Sequence, residues 1–114
     1  MLPAEEEGDP LVSAICAYLD DRVEERVHVE ELCSVFGYSR SYLSRLFQRQ
    51  TGETLAGYAV RQKIRRAKQL IRETNLNFAQ ISSRLAFETP QYFSRVFKRC
   101  TGMTPTEFKN RAHV

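Results

Sequence analysis

The run Tyr-Leu-Ser-Arg-Leu-Phe-Gln-Arg-Gln-Thr-Gly at 42–52 returns fifty residues later as Tyr-Phe-Ser-Arg-Val-Phe-Lys-Arg-Cys-Thr-Gly at 92–102. Seven of these eleven positions are identical, and the mismatched pairs Leu43/Phe93 and Leu46/Val96 stay apolar. A chain of 114 residues that writes one pattern twice is constrained to build one supersecondary unit twice. Two copies are too few for a solenoid. The length suits one compact domain, or two small subdomains that share a connecting helix.

Helix punctuation frames both copies. Asp9 before Pro10 reads as an N-cap and a first-turn proline, opening a helix with Leu11, Ile15, Tyr18 and Leu19 on one side. Glu30 and Glu31 suit the first turn of the next helix, where the dipole favours anions, and Gly37 suits its end. Ser39 is expected to cap a third helix and Gly52 to terminate it. Thr54 opens a long helix to about Thr74, with Val60, Ile64, Ala67 and Ile71 as its apolar stripe. Asn77 with Gln80 forms a capping box, Thr89 with Pro90 opens a further helix, and Gly102 closes it. Thr104, Pro105 and Glu107 give the last helix a first-turn proline and a second capping box.

No segment sustains period-2 alternation, so the expected fold is all-α. It should hold about seven helices, arranged as two helix-turn-helix subdomains joined by a long central helix. Residues 1–9 read as an acidic N-terminal segment or linker remnant, and 10–112 as the folded domain. Within that domain the first helix-turn-helix unit falls at about 28–52, the connecting helix at about 54–74, the second unit at about 77–102 and the C-terminal helix at about 104–112.

Each copy is thus a helix, a short turn and a second helix, which is helix-turn-helix spacing. At about 100° per residue, Leu43, Leu46 and Phe47 face the core in the first copy. Ser41, Ser44, Arg45 and Gln48 then point outward, flanked by Arg40 and Arg49. In the second copy Phe93, Val96, Phe97 and Cys100 take the core side. Gln91, Ser94, Arg95 and Lys98 are left outward, flanked by Arg99, with Thr89 at the helix start. Arg can donate to guanine O6 and N7, Gln pairs with the adenine edge, and Ser serves either, so these side chains suit a DNA major groove. A plain solvated surface is the alternative for one such helix. Two matched faces, both without a carboxylate, favour nucleic acid.

The central helix supplies a spacing. Roughly 20 residues at about 1.5 Å each make a rod of roughly 30 Å. Major-groove faces on one side of B-DNA recur about every 34 Å. One chain is therefore expected to place two unlike helices in adjacent grooves of an asymmetric site. The same helix carries Arg61, Arg65, Lys68 and Arg72 on one stripe, with Lys63 and Arg66 alongside, as candidate phosphate contacts or as a solvated face. Tyr42 and Tyr92, beside the core positions, read first as packing residues.

The charge pattern agrees with a polyanion partner. Residues 1–31 hold ten acidic and two basic side chains, whereas residues 32–114 hold fifteen basic and four acidic ones. No run approaches the roughly 18 apolar residues of a membrane span. The N-terminus lacks the basic and apolar regions of a signal peptide, which points to the cytoplasm. Cys16, Cys33 and Cys100 lie far apart without a CxxC, and are expected to act as small buried hydrophobes rather than metal ligands. His28 and His113 are distant in sequence, and no Ser/His/Asp, Cys/His or paired-carboxylate arrangement stands out. No enzyme activity, metal or cofactor is expected. The rival from another class is a helical interaction module whose basic faces dock an acidic protein.

The stretch Ala86-Phe87-Glu88-Thr89-Pro90-Gln91-Tyr92-Phe93-Ser94-Arg95-Val96-Phe97-Lys98-Arg99, followed by Thr101-Gly102-Met103-Thr104-Pro105, resembles the signature of the AraC/XylS family of transcription regulators. Gly37-Tyr38-Ser39-Arg40-Ser41-Tyr42-Leu43-Ser44-Arg45-Leu46-Phe47 is similar to that family's first unit, and Lys63-Ile64 with Ala67 and Leu70-Ile71 to its connecting helix. The resemblance covers about residues 10–112 and implies a bilobed, seven-helix DNA-binding domain. It implies base contacts from Ser41, Ser44 and Arg45, and from Gln91, Tyr92, Ser94 and Arg95; Tyr92 enters on this ground alone. It also implies promoter DNA and RNA polymerase as partners, activation of transcription, and a monomeric module whose full-length protein can dimerise through another domain. Many members carry a sensing or receiver domain, so the chain is expected to be the C-terminal part of a longer regulator rather than a stand-alone one. Three positions depart from the pattern. Ala86 stands where Gly is usual, which predicts a different bend in the second turn. Lys63 stands where Arg is usual and lacks the planar fork for a bidentate bond. Pro90 adds no donor to the second face.

Overall fold

The computed structural model describes residues 9–112. The acidic segment expected at 1–9 lies outside these residues except for Asp9, and so does His113. Among the described residues seven α-helices follow one another: α1 Pro10–Asp21, α2 Val29–Phe36, α3 Arg40–Thr51, α4 Leu55–Glu73, α5 Phe78–Arg84, α6 Pro90–Thr101 and α7 Pro105–Ala112. The described residues contain no strand. The fold is all-α, as the absence of period-2 alternation requires.

The caps are where side-chain chemistry puts them. The Asp9 carboxylate accepts from the backbone N–H of Leu11 at 2.9 Å and of Val12 at 3.3 Å, satisfying donors that an N-terminus leaves unpaired. Asn77 and Gln80 form a reciprocal box at 2.7 and 2.8 Å, and Thr104 and Glu107 another at 2.8 and 3.1 Å. His28 is the exposed N-cap of α2, and its side chain makes no capping bond.

The chain divides into two compact units between Val60 and Arg61, so α4 contributes to both. In the first unit Val12, Ile15, Leu19, Leu32, Leu43, Leu46, Phe47 and Leu55 make one core. The expected face of α1 packs on this core, with Ile15 and Leu19 buried and Leu11 and Tyr18 partly buried against it, and Val12 joins it. The Tyr18 hydroxyl donates to the Glu31 carboxylate, and its ring meets Phe36 edge-on at 5.8 Å, which ties α1 to α2. Tyr58 meets Phe47 edge-on at 5.5 Å and donates its hydroxyl proton to Asp20 at 3.0 Å. Burial, with hydrogen bonds to Cys16 and Asp20, pushes the Tyr58 phenol far above its ordinary range.

In the second unit Ile64, Ala67, Leu70 and Ile71 of α4 are buried, as are Ile81, Leu85, Phe93, Val96 and Phe97. A relay of rings runs Phe87–Phe93–Phe97–Phe108 at centroid distances of 5.2, 5.8 and 5.5 Å. Edge-on and tilted aromatic pairs at such distances add about 0.5–1.5 kcal/mol each beyond area burial.

The duplication extends to single hydrogen bonds. Thr51 Oγ1 donates to the Phe47 carbonyl at 2.8 Å and accepts from Glu53 N at 3.1 Å. Thr101 Oγ1 donates to the Phe97 carbonyl at 2.8 Å and accepts from Met103 N at 3.1 Å. Gly52 and Gly102 then turn the chain in the left-handed region, at φ 80° and 83°. The two inner turns differ. The first closes on Gly37 at φ 77°, while the second runs Leu85–Glu88 with Ala86 at φ 62°. Ala86 thus places a residue with a Cβ in the left-handed region that Gly37 occupies in the first turn.

One expectation for the cysteines fails. Cys100 is exposed, and Cys16 and Cys33 are only half-buried. Cys100 lies one residue before the end of α6, where Phe108 of α7 closes the core against Phe97 and leaves the helix's last turn outside.

Candidate nucleic-acid interface

The two outward-facing helices are set by identical devices. Ser39 Oγ accepts from Tyr42 N at 3.1 Å and Thr89 Oγ1 accepts from Tyr92 N at 3.0 Å, so each hydroxyl starts its helix at the same register. From that start the period of 3.6 splits each helix into two faces. Leu43, Leu46 and Phe47, like Phe93, Val96 and Phe97, are buried to 4% exposure or less. Arg40, Ser41, Ser44, Arg45, Gln48 and Arg49 are all exposed. Thr89, Gln91, Tyr92, Arg95, Lys98 and Arg99 are exposed as well, and Ser94 is half-buried. Neither α3 nor α6 contains a carboxylate, so each outward face is uniformly cationic or neutral.

The faces are not equivalent in detail. Arg40 lies 3.2 Å from the Glu30 carboxylate of α2, an exposed pair that orients the guanidinium and contributes little stability. Pro90 occupies the matching place in α6 and offers no such cation. Tyr38 and Tyr42 stack at 4.8 Å with their planes 22° apart, and both rings are exposed. In the second unit the Arg95 guanidinium lies over the Tyr92 ring at 5.8 Å, and Phe87 approaches that ring at 6.0 Å. Tyr42 and Tyr92 therefore do not pack inward as first read. They stand at 40% and 38% exposure beside the outward-facing polar positions. The four-residue spacing of Tyr38 and Tyr42 across the turn was the available signal for the stack.

The basic stripe of α4 is less uniform. Arg61 and Arg65 are exposed, with Arg65 donating to Gln62 Oε1 at 3.3 Å. Lys68 is half-buried, and Arg72 places its guanidinium 5.6 Å from the Phe108 ring. Lys63 turns to the Leu85 carbonyl at 2.8 Å. Among the described residues no group of three His, Cys, Asp or Glu side chains is placed to hold a metal ion. None of their helices is long and apolar enough to cross a membrane.

Comparison with known proteins places this geometry. A family model described as a helix-turn-helix domain matches residues 32–111. The arabinose operon regulatory protein of Escherichia coli K12 is 33% identical over 102 residues, covering 89% of this chain and 35% of that protein. Regulatory protein SoxS of the same organism is 28% identical over 101 residues, covering 89% of this chain and 94% of that one. The DNA-binding domain of AdpA, a global transcriptional factor solved in complex with a target DNA, superposes with a TM-score of 0.83 at 23% identity, over 91% of this chain and 93% of that one. That likeness speaks for the fold. The chain spans between 32% and 36% of the length of the first curated relatives it matches.

Proposed function

The chain belongs to the AraC/XylS family of helix-turn-helix regulators, and from that premise we propose that it binds promoter DNA sequence-specifically through α3 and α6. The observation that carries this reading is the matched pair of outward faces. Each offers Arg, Ser and Gln donors and acceptors, all exposed except the half-buried Ser94, each starts at the same hydroxyl cap, and neither bears a carboxylate.

Arg45 and Arg95 discriminate bases, each through a bidentate bond to guanine. Ser41, Ser44 and Gln48 in the first unit, and Gln91, Tyr92, Ser94 and Lys98 in the second, refine the choice. Arg40, Arg49 and Arg99 contact phosphates, together with Thr89 at the start of α6 and with Arg61, Arg65 and Lys68 of α4. α4 acts as the spacer that lets both helices enter adjacent major grooves, and the unlike faces read an asymmetric site. The module acts as a monomer in the bacterial cytoplasm and activates transcription through RNA polymerase. Dimerisation belongs to a further domain of a longer regulator.

Selection of sites from a random duplex library at moderate salt tests the proposal. A directional motif of two unlike blocks about 10 base pairs apart supports it. A single block means that one helix reads while the other anchors. No enrichment overturns DNA reading and favours an interaction module that docks an acidic protein.

A further inference from the structure

We infer that Lys63 is a positioning residue for the second reading helix, acting through the Leu85 carbonyl on the turn that aims α6. The inference rests on the DNA-reading function proposed above. Leu85 is the C-cap of α5 and is fully buried. Carbonyls at a helix C-terminus lack intrahelical partners and carry the negative end of the dipole. The Lys63 ammonium, coming from α4, donates to this carbonyl at 2.8 Å, a charge-assisted bond in a half-buried setting.

The turn that follows needs such support. Ala86 sits at φ 62°, the only non-glycine residue with positive φ among those described. That conformation is disfavoured for a residue with a Cβ and persists only where the surroundings over-determine it. Here three bonds converge: Ala86 N to the Ser83 carbonyl at 3.1 Å, Phe87 N to the Ser82 carbonyl at 3.0 Å, and Lys63 to Leu85. Ser82 itself is buried. Phe87 then carries the geometry onward, with its ring 5.2 Å from Phe93 and 6.0 Å from Tyr92 in the first turn of α6. The first unit closes its inner turn on Gly37, which takes positive φ without strain. Aim is thus a backbone property in the first unit and a side-chain property in the second.

The test uses wild type, Lys63→Met, Lys63→Arg and the double variant Lys63→Met/Ala86→Gly, titrated against the selected duplex and single-base variants in each block. Arg95→Ala identifies the block read by α6. Lys63→Met is expected to lower discrimination in that block by about tenfold, the scale of one charge-assisted hydrogen bond, and to leave the α3 block unchanged. Lys63→Arg and the double variant should restore most of it. Amide hydrogen exchange without DNA should show Phe87 and Tyr92 opening faster in Lys63→Met, with Gly37 and Tyr42 unaffected. Equal losses in both blocks, or unchanged exchange at Phe87 and Tyr92, overturn the inference. A wild-type chain that enriches no duplex overturns the DNA-reading proposal instead, and the exchange rates still decide whether Lys63 holds the turn.

Discussion

The Arg95 guanidinium lies 5.8 Å from the centre of the Tyr92 ring, three residues earlier on α6. The same Tyr and Arg recur as Tyr42 and Arg45, but there the tyrosine ring is engaged by Tyr38 at 4.8 Å. A cation over a partly exposed ring gains about 0.5–1 kcal/mol. Arg95 is therefore restrained before DNA arrives, which reduces the entropy lost on binding. Tyr92→Leu is expected to weaken specific binding by about 0.5–1 kcal/mol and to blur the base read by Arg95. Tyr42→Leu should leave the Arg45 base preference intact. Competition titration with single-base variants measures both effects; equal blurring by the two substitutions contradicts the assigned asymmetry.

Arginines on the reading faces and on α4 should fail differently. Arg45→Ala and Arg95→Ala are each expected to cost about 1–3 kcal/mol on the selected site and to relax one base position. Arg65→Ala should weaken all duplexes alike and reduce the slope of log affinity against log salt by about 0.9. An Arg45→Ala variant with unchanged affinity and base preference removes α3 from the reading role.

Ala86→Gly should stabilise the second unit by about 1 kcal/mol, since glycine adopts positive φ without the Cβ clash. The reverse change at Gly37 or Gly102 should destabilise by a similar amount. A Cβ built at either glycine meets nothing within 4 Å, so the cost is purely backbone. Urea denaturation resolves these differences. An Ala86→Gly chain less stable than wild type means that the turn is not strained.

The Glu107 carboxyl is held below its ordinary value by hydrogen bonds with the Thr104 backbone and hydroxyl. Its folded-state pKa lies under the unfolded one, so its stabilisation is present above about pH 4.5 and is lost as pH falls through the folded value. Glu107→Gln keeps an acceptor for the Thr104 N–H but removes the titration. Thermal melts from pH 6 to pH 3 should therefore fall less steeply for the variant than for wild type. Parallel acid limbs would assign the acid sensitivity to other groups.

Local chemistry made most of this fold legible. Asp9, Ser39, Asn77, Thr89 and Thr104 each cap a neighbouring amide within a few residues, and short-range rules of this kind need no tertiary knowledge. The division of α3 and α6 into buried and exposed faces followed from the helical period in the same way. Features that depend on where another element lies were not legible. Glu30 read as a dipole partner for its own helix, yet it also reaches Arg40 ten residues on. Lys63 read as one more cation on a basic stripe, and only the fold shows that the Leu85 carbonyl awaits it. Cys100 carried the right phase for burial, but the closing of the core by Phe108 decided otherwise.

The hydroxyl caps at Ser39 and Thr89, the Thr51 and Thr101 networks and the glycine stops at 52 and 102 give α3 and α6 one interchangeable chassis. Of the outward positions, 44 and 94 are both Ser and 45 and 95 are both Arg, so the two faces differ at Arg40 against Pro90, Ser41 against Gln91 and Gln48 against Lys98. Under the proposed DNA-reading function, exchanging Ser41 with Gln91 and Gln48 with Lys98 is expected to move base preference from one helix to the other, since all four side chains are exposed. The chain is in this sense a two-slot cassette, whose letters can be rewritten while its frame stays in place.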